Sequence, residues 1–262
     1  MNDTKRLELL FFEVLKDLED YLDDLTLVGG WLSYVYSKFL WHNLEVQAVT
    51  TVDIDFGFGG NKIKPHSKTI FEVLSSLNYK ERHLYIGKMY PVVLYKQGKI
   101  PIDFITSPKT KDKLVEGLVG RQININKIDK FDFLLENRIP ITVRVEREKT
   151  SYKVQCPKPS AFLYHKGAIF IDREGELKQA KDLHYMYFIL RYAPNLDIVL
   201  AEITKYKKKG NFIDISKNIK KYFERKTSQG CLMIEKENGP DEYIDDLRQD
   251  IFDRFNELLE FL

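Results

Sequence analysis

Thr51-Val52-Asp53-Ile54-Asp55-Phe56 sets two carboxylates two residues apart in a run of apolar side chains. On an extended strand, residues two apart point to the same side, roughly 6.5–7 Å along the chain. Asp53 and Asp55 are therefore expected on one face, with Val52, Ile54 and Phe56 on the other. Upstream, another apolar run ends in Gly29-Gly30; downstream, Ile100-Pro101-Ile102-Asp103-Phe104-Ile105 carries a third acid. Crowded carboxylates repel unless a cation neutralises them. Brought together from neighbouring strands, Asp53, Asp55 and Asp103 would make a three-carboxylate site suited to hard Mg²⁺ ions and to phosphates carried on them.

The composition around this site is that of an ordinary globular protein: 262 residues, 44% hydrophobic and 31% charged, enough for a proper core. A net charge of +2 argues neither for nor against nucleic acid, so any basic surface has to be local. Cys156 and Cys231 lie far apart and outside any Cys/His cluster. A zinc site or a disulfide framework is not expected, and a reducing cytoplasm fits. No apolar run approaches the ~20 residues of a membrane span. The N-terminus opens into an amphipathic pattern with no secretory hydrophobic core.

Leu7, Leu10, Phe11, Val14, Leu15, Leu18, Tyr21 and Leu22 recur at helical spacing and predict a first helix. A short strand over 25–28 then enters the glycine pair, an aromatic-rich helix covers 31–40, and a long strand is expected over 46–58. Residues 67–77 read as a further amphipathic helix. Two hairpins are predicted, 90–95 with 99–105 around Gln97-Gly98, and 139–145 with 151–155. Strands and helices mix without strict alternation, which points to an α+β (α/β-type) fold, a mixed sheet with flanking helices. After Cys156-Pro157-Lys158-Pro159 the periodicity is helical almost throughout. Residues 1–157 are therefore expected to form a catalytic domain and 158–262 a helical domain. A stripe of Ile244, Leu247, Ile251, Phe255, Leu258 and Leu262 marks the last helix, and 227–241, with Gly230, Gly239 and Pro240, reads as a loop.

The order glycine pair, helix, Asp-x-Asp strand, later single Asp resembles the nucleotidyltransferase superfamily of the polymerase-β type. Leu27-Val28-Gly29-Gly30-Trp31 and Thr50-Thr51-Val52-Asp53-Ile54-Asp55 look like the minimal nucleotidyltransferases of bacterial toxin–antitoxin and phage-defence systems (AbiEii-like). The resemblance implies a nucleotidyltransferase-like sheet and transfer of a nucleoside monophosphate from an NTP, ATP included, to a hydroxyl, with release of pyrophosphate. It implies two Mg²⁺ ions on Asp53, Asp55 and Asp103, and a triphosphate cradled by Gly29 and Gly30. A second match, Pro159 to Ile169 followed by Arg173 and Lys181-Asp182-Leu183, implies phosphate contacts from Lys166 and Lys181, with Asp182 orienting a cation or serving as a structural partner. The acceptor would be a tRNA end, a protein side chain or a small molecule. A toxin-type role would bring a neutralising, antitoxin-type partner protein. The 22 residues between Gly30 and Asp53, and His184-Tyr185 where a further Asp often follows the Lys-Asp pair, depart from the pattern.

Each signal has a plainer reading beside it. Asp-x-Asp pairs are common on solvated edges, although an acid inside Ile-Pro-Ile-Asp-Phe-Ile is expensive to bury without a partner. Lys166 reads equally as a surface lysine, and Arg173 with Asp182 as an ion pair. Gly57-Phe58-Gly59-Gly60 lacks the Lys-Ser/Thr of a phosphate loop and reads as a turn. The runs 205–209 and 217–226 are basic, with Tyr206, Tyr222 and Phe223 interleaved. They could hold an RNA backbone and stack bases, while the simpler reading is the solvated face of helices. A metal-dependent phosphodiesterase or nuclease, and a non-catalytic binding module of the same fold, are the rival functions.

Overall fold

A computed structural model describes residues 3–43, 51, 53–59, 63–83, 92–123, 125–208, 215–238 and 244–262. The chain divides into two compact units, Met1–Pro157 and Lys158–Leu262.

In the first unit the strands are β1 (Thr26–Val28), β2 (Ile54–Phe58), β3 (Lys80–His83), β4 (Val92–Tyr95), β5 (Ile102–Thr106), β6 (Asn126–Lys127), β7 (Arg138–Val145) and β8 (Thr150–Pro157). They form one mixed sheet in the order β3-β4-β5-β2-β1-β8-β7, with β6 beside the C-terminal part of β5. The central pair β2 and β5 is parallel; β1 runs antiparallel to β2. One face of this centre is apolar: Ile54, Phe56, Ile102 and Phe104 are fully buried, and the Phe56 and Phe104 rings lie 6.4 Å apart.

Helix α1 (Asp3–Asp17) buries Phe11, Val14 and Leu15, and Phe11 stacks on Trp31 with ring centroids 4.5 Å apart. Trp31 opens α2 (Trp31–Val35), which runs on into a wider π turn over Tyr36–Leu40, where Trp41 N–H donates to the Tyr36 carbonyl at 2.8 Å. Helix α3 (Ile70–Ser76) starts at a capping box. Thr69 Oγ1 accepts from Glu72 N–H, and the Glu72 carboxylate accepts from Thr69 N–H, so two of the donors a helix start leaves over are satisfied. Short helices α4 (Asp112–Leu118) and α5 (Asp132–Glu136) complete the unit. The sheet takes the predicted hairpins β4–β5 and β7–β8.

The second unit is all helical among the described residues: α6 (Pro159–Ile169), α7 (Glu176–Tyr192), α8 (Leu196–Lys208), α9 (Ile215–Tyr222), α10 (Gln229–Asn238) and α11 (Ile244–Phe261). Ser160 to Ala168 on α6 and Asp182 to Leu190 on α7 are buried without a break. Helices covered on every side form the centre of such a unit. Around them α9 and α11 are amphipathic, and Phe223, just beyond α9, stacks on Phe255 of α11 at 3.7 Å.

Two expectations need correction. The strand expected over 46–58 is β2 only from Ile54; 44–50 and Val52 lie outside the described residues, and Asp53 sits in a bend one residue ahead of the strand. Ile54 N–H donates to the Pro101 carbonyl at 2.9 Å, and Pro101 has no N–H to carry the ladder further. The loop expected over 227–241 contains α10. Gly230, read as a breaker, is needed there for contact: a Cβ on it would stand 2.5 Å from the Phe223 ring. Cys231, Met233 and Ile234 are buried beside it, so packing outweighs the weak helix propensity of glycine.

Candidate active site

The sheet register assembles the acids. Asp55 on β2 lies directly opposite Asp103 on β5 and, on its other side, opposite Val28 of β1. Residues directly opposite across a ladder share a face, so Asp55 and Asp103 project together, away from the Phe56–Phe104 face. Asp53 joins them from the bend, near enough for its charge to act on Asp103. Burial, then the nearby Asp53 carboxylate, raise the Asp103 pKa to about 6 against the moderating hydrogen bonds of Phe104 N–H and Asn126. The first cause is loss of hydration and the second is like-charge repulsion.

Val28 leads into Gly29, whose φ is +74°. A Cβ there would overlap the Asp55 carboxylate, 2.0 Å from Oδ2. Only glycine allows both this backbone conformation and this approach. Gly30 then precedes the first residue of α2. The glycine pair and the Asp-x-Asp segment are thus one piece of structure, with the turn pressed on the central carboxylate.

The three carboxylates, two on adjacent strands and Asp53 in the bend before β2, are hard oxygen donors of the type that Mg²⁺ prefers, and burial together with the Asp53 charge raises the proton affinity of Asp103. The residues fit such an ion by their donor chemistry. They form an open cluster: among the described residues no three His, Cys, Asp or Glu side chains are drawn into ligating geometry.

Asn126 is the member that sequence reasoning missed. Its Nδ2 donates to Asp103 Oδ2 at 3.4 Å from β6. The alternation of Ile123, Ile125 and the intervening asparagines is a strand signal that would have found it.

In the second unit, Lys166 donates to Asp182, and Arg173 Nε stands 3.2 Å from the other Asp182 oxygen. The Lys166 ammonium also lies over the Phe162 and Tyr185 rings, 5.4 and 5.6 Å from their centroids. Asp182 is 1% exposed and Lys166 8%, so Lys166 is no surface lysine. Lys181, next in sequence to Asp182, is exposed. The structure therefore joins Lys166, Arg173 and Asp182 and leaves Lys181 apart from them.

Among the described residues no helix is long and apolar enough to cross a membrane. Comparison with known proteins adds the following. Residues 11–205 match the model of a family described as nucleotidyltransferase. No curated protein matches the chain. A crystal structure of an antigenic nucleotidyltransferase-like protein from Paracoccidioides brasiliensis is similar at 13% identity and a TM-score of 0.42, over 78% of this chain and 90% of that one.

Proposed function

The chain belongs to the nucleotidyltransferase family, and we propose that it transfers a nucleoside monophosphate from an NTP to a hydroxyl of an acceptor. The observation that carries this reading is the register of Asp55 against Asp103 with Gly29 pressed on the Asp55 carboxylate. Asp53, Asp55 and Asp103 would hold Mg²⁺, two ions in the fullest form of the reading. When bound, such ions would offset the charge that builds up during displacement at the α-phosphate.

The chain's own groups supply the rest. The Gly29-Gly30 turn has no side chain between its backbone and a phosphate, so its N–H groups can approach the triphosphate closely. Asp103 would also help activate the attacking hydroxyl by taking its proton. The acceptor oxygen then bonds to the α-phosphorus as the bond to the β-phosphate oxygen breaks, and pyrophosphate leaves. Asn126 restrains the Asp103 carboxylate from the neighbouring strand.

Lys166 and Lys181 enter the proposal as the phosphate contacts that the family resemblance implies. Lys181 has the exposed ammonium that such a contact needs, and Lys166 would first have to exchange Asp182 for phosphate. A toxin-type enzyme with a neutralising partner protein is the finer form of the reading. A cytoplasmic setting is consistent with the two buried free thiols, Cys156 and Cys231.

The test is incubation with each α-labelled NTP, Mg²⁺ and separate pools of RNA, protein and small hydroxyl acceptors. Label on one acceptor in amounts equal to the pyrophosphate released, and none with Asp53→Asn, is expected. Cleavage of nucleic acid with no NTP present would replace this reading with the phosphodiesterase one.

A further inference from the structure

Residues 158–262 hold eighteen Lys or Arg and eighteen Asp or Glu, so the helical unit has no net charge to explain a basic surface. Yet Lys217, Lys220, Lys221, Arg225 and Lys226 fall within ten residues that contain a single acid, Glu224. All five cationic residues are exposed. They line the outer side of α9 and the turn after it, because Ile215, Ile219 and Tyr222 take the inner side. Spacings of three and four bring Lys217, Lys220 and Lys221 onto adjoining turns of one helix face.

Several acids of the neighbouring helices are engaged elsewhere. Asp250 of α11 is held by Tyr187, Arg191 and Arg254, Glu257 by Arg254, and Glu235 of α10 by Arg248. Among the described residues, Lys220, Lys221, Arg225 and Lys226 are joined to no carboxylate. Like charges kept side by side cost stability, and a cluster of them is a field that attracts anions.

The aromatic residues of the stretch exclude one mode of use. Tyr206, Tyr222 and Phe223 are buried at 6%, 9% and 1% exposure. Tyr222 meets Phe170 edge-on at 5.0 Å, and Phe223 is stacked on Phe255. They are core residues, so the base-stacking reading of these runs does not hold. Among the described residues the large exposed apolar side chains, Leu177, Ile198 and Leu232, all lie outside residues 215–228. A protein interface wants an apolar centre inside its polar rim, and a membrane-surface helix wants an apolar face to insert. This surface has neither, whereas a phosphate backbone requires only repeated cations.

We propose that the outer face of α9 and the following turn dock the phosphate backbone of a structured RNA without reading its sequence. The choice of RNA rests on the transferase reading, since an RNA end carries the hydroxyl that such an enzyme needs. Docking by charge alone predicts steep salt dependence and little preference among sequences.

Anisotropy of a labelled RNA hairpin, titrated with the full chain over a salt series without NTP or Mg²⁺, tests the surface directly. Log K is expected to fall against log salt with a slope of about −3 to −4, from some four phosphates neutralised by Lys220, Lys221, Arg225 and Lys226. Lys220→Glu/Lys221→Glu/Lys226→Glu is expected to weaken binding about tenfold or more at low salt and to remove about two to three units of slope. The charge-matched control Lys113→Glu/Lys178→Glu/Lys236→Glu, at exposed lysines elsewhere, should stay within about twofold of wild type. Equal losses in the two variants, each unfolding at the wild-type temperature, would overturn the proposal. So would capture by anionic vesicles or acidic polypeptide with no RNA binding. RNA binding without nucleotidyl transfer would leave the surface standing and remove the transferase reading; transfer without RNA binding would do the reverse.

Discussion

Asp103 in the sheet and Asp182 among the helices are both carboxylates taken largely out of water, but their company is opposite in sign. Asp182 lies between Lys166 and Arg173, so the chain itself supplies its counter-charges. Asp103 faces Asp55 across the ladder and is acted on by Asp53, with Asn126 and a backbone N–H as its moderating partners. The first arrangement is complete as folded. The second keeps a surplus of negative charge at a turn pressed close by Gly29, which under the proposed reading a cation from solution would offset. The comparison separates a charge cluster whose counter-charges come with the fold from one whose counter-charge, under the proposed function, would come with a ligand.

Substitutions in the two regions sharpen the contrast, beginning with the largest effect. Asp55→Asn should lower transfer by about 10³-fold or more, the loss of several kcal/mol of phosphate stabilisation, while the urea midpoint stays level or rises. A fall in stability as large as the fall in activity would place Asp55 in the structural class with Asp182. Asp182→Asn should do the converse: it leaves Lys166 buried against a neutral amide and should cost about 3–5 kcal/mol in urea unfolding. Lys166→Met/Asp182→Leu, which removes both charges together, should cost far less, and equal costs would mean that the pair is not the unit of stability.

Next comes pH. Asp103 keeps its proton to about pH 6 when folded, against an ordinary value of 3.8. Between those values the native state binds more protons than the unfolded chain, so this group's contribution to stability falls as pH rises through the window. Without divalent ions, Asp103→Asn should therefore be more stable than wild type by about 2–3 kcal/mol at pH 8 and no different below pH 4. Mg²⁺ should close the gap by stabilising the wild type. The helical unit should show the opposite slope. His184 is buried, neither ring nitrogen has a hydrogen-bond partner among the described residues, and burial pushes its pKa down from 6.5 to about 4. There the unfolded chain binds the proton first, so stability is lost as pH falls below 6.5, by up to about 3 kcal/mol. His184→Gln should flatten that loss in urea titrations between pH 7 and 4. Gly29→Ala should cost folding about 1–2 kcal/mol for the left-handed backbone, with a loss of transfer well beyond that fraction because the new methyl displaces the Asp55 carboxylate.

Much of this contrast is visible in the sequence where local rules decide. The glycine pair, the two hairpins and the third acid in its apolar run follow from alternation and turn chemistry, and the structure places Asp55 and Asp103 opposite each other. Pro101 marks where the ladder stops, yet its effect on Asp53 needs the partner strand to be known. Asn126 required knowing that β6 would come to lie beside β5. Gly230 misled because a breaker is read locally, while its need for Phe223 is tertiary. Lys166 was legible as a lysine on a helix, but its burial depends on Asp182 arriving from sixteen residues further along the chain.

The most direct test of the central claim is calorimetric titration of non-hydrolysable NTP analogues into the protein with and without Mg²⁺, in wild type and in Asp53→Asn. Binding that requires Mg²⁺ and disappears in the variant is the predicted result. Binding of equal strength without Mg²⁺, or unchanged in Asp53→Asn, would contradict the assignment of the acid cluster as a cation-held nucleotide site.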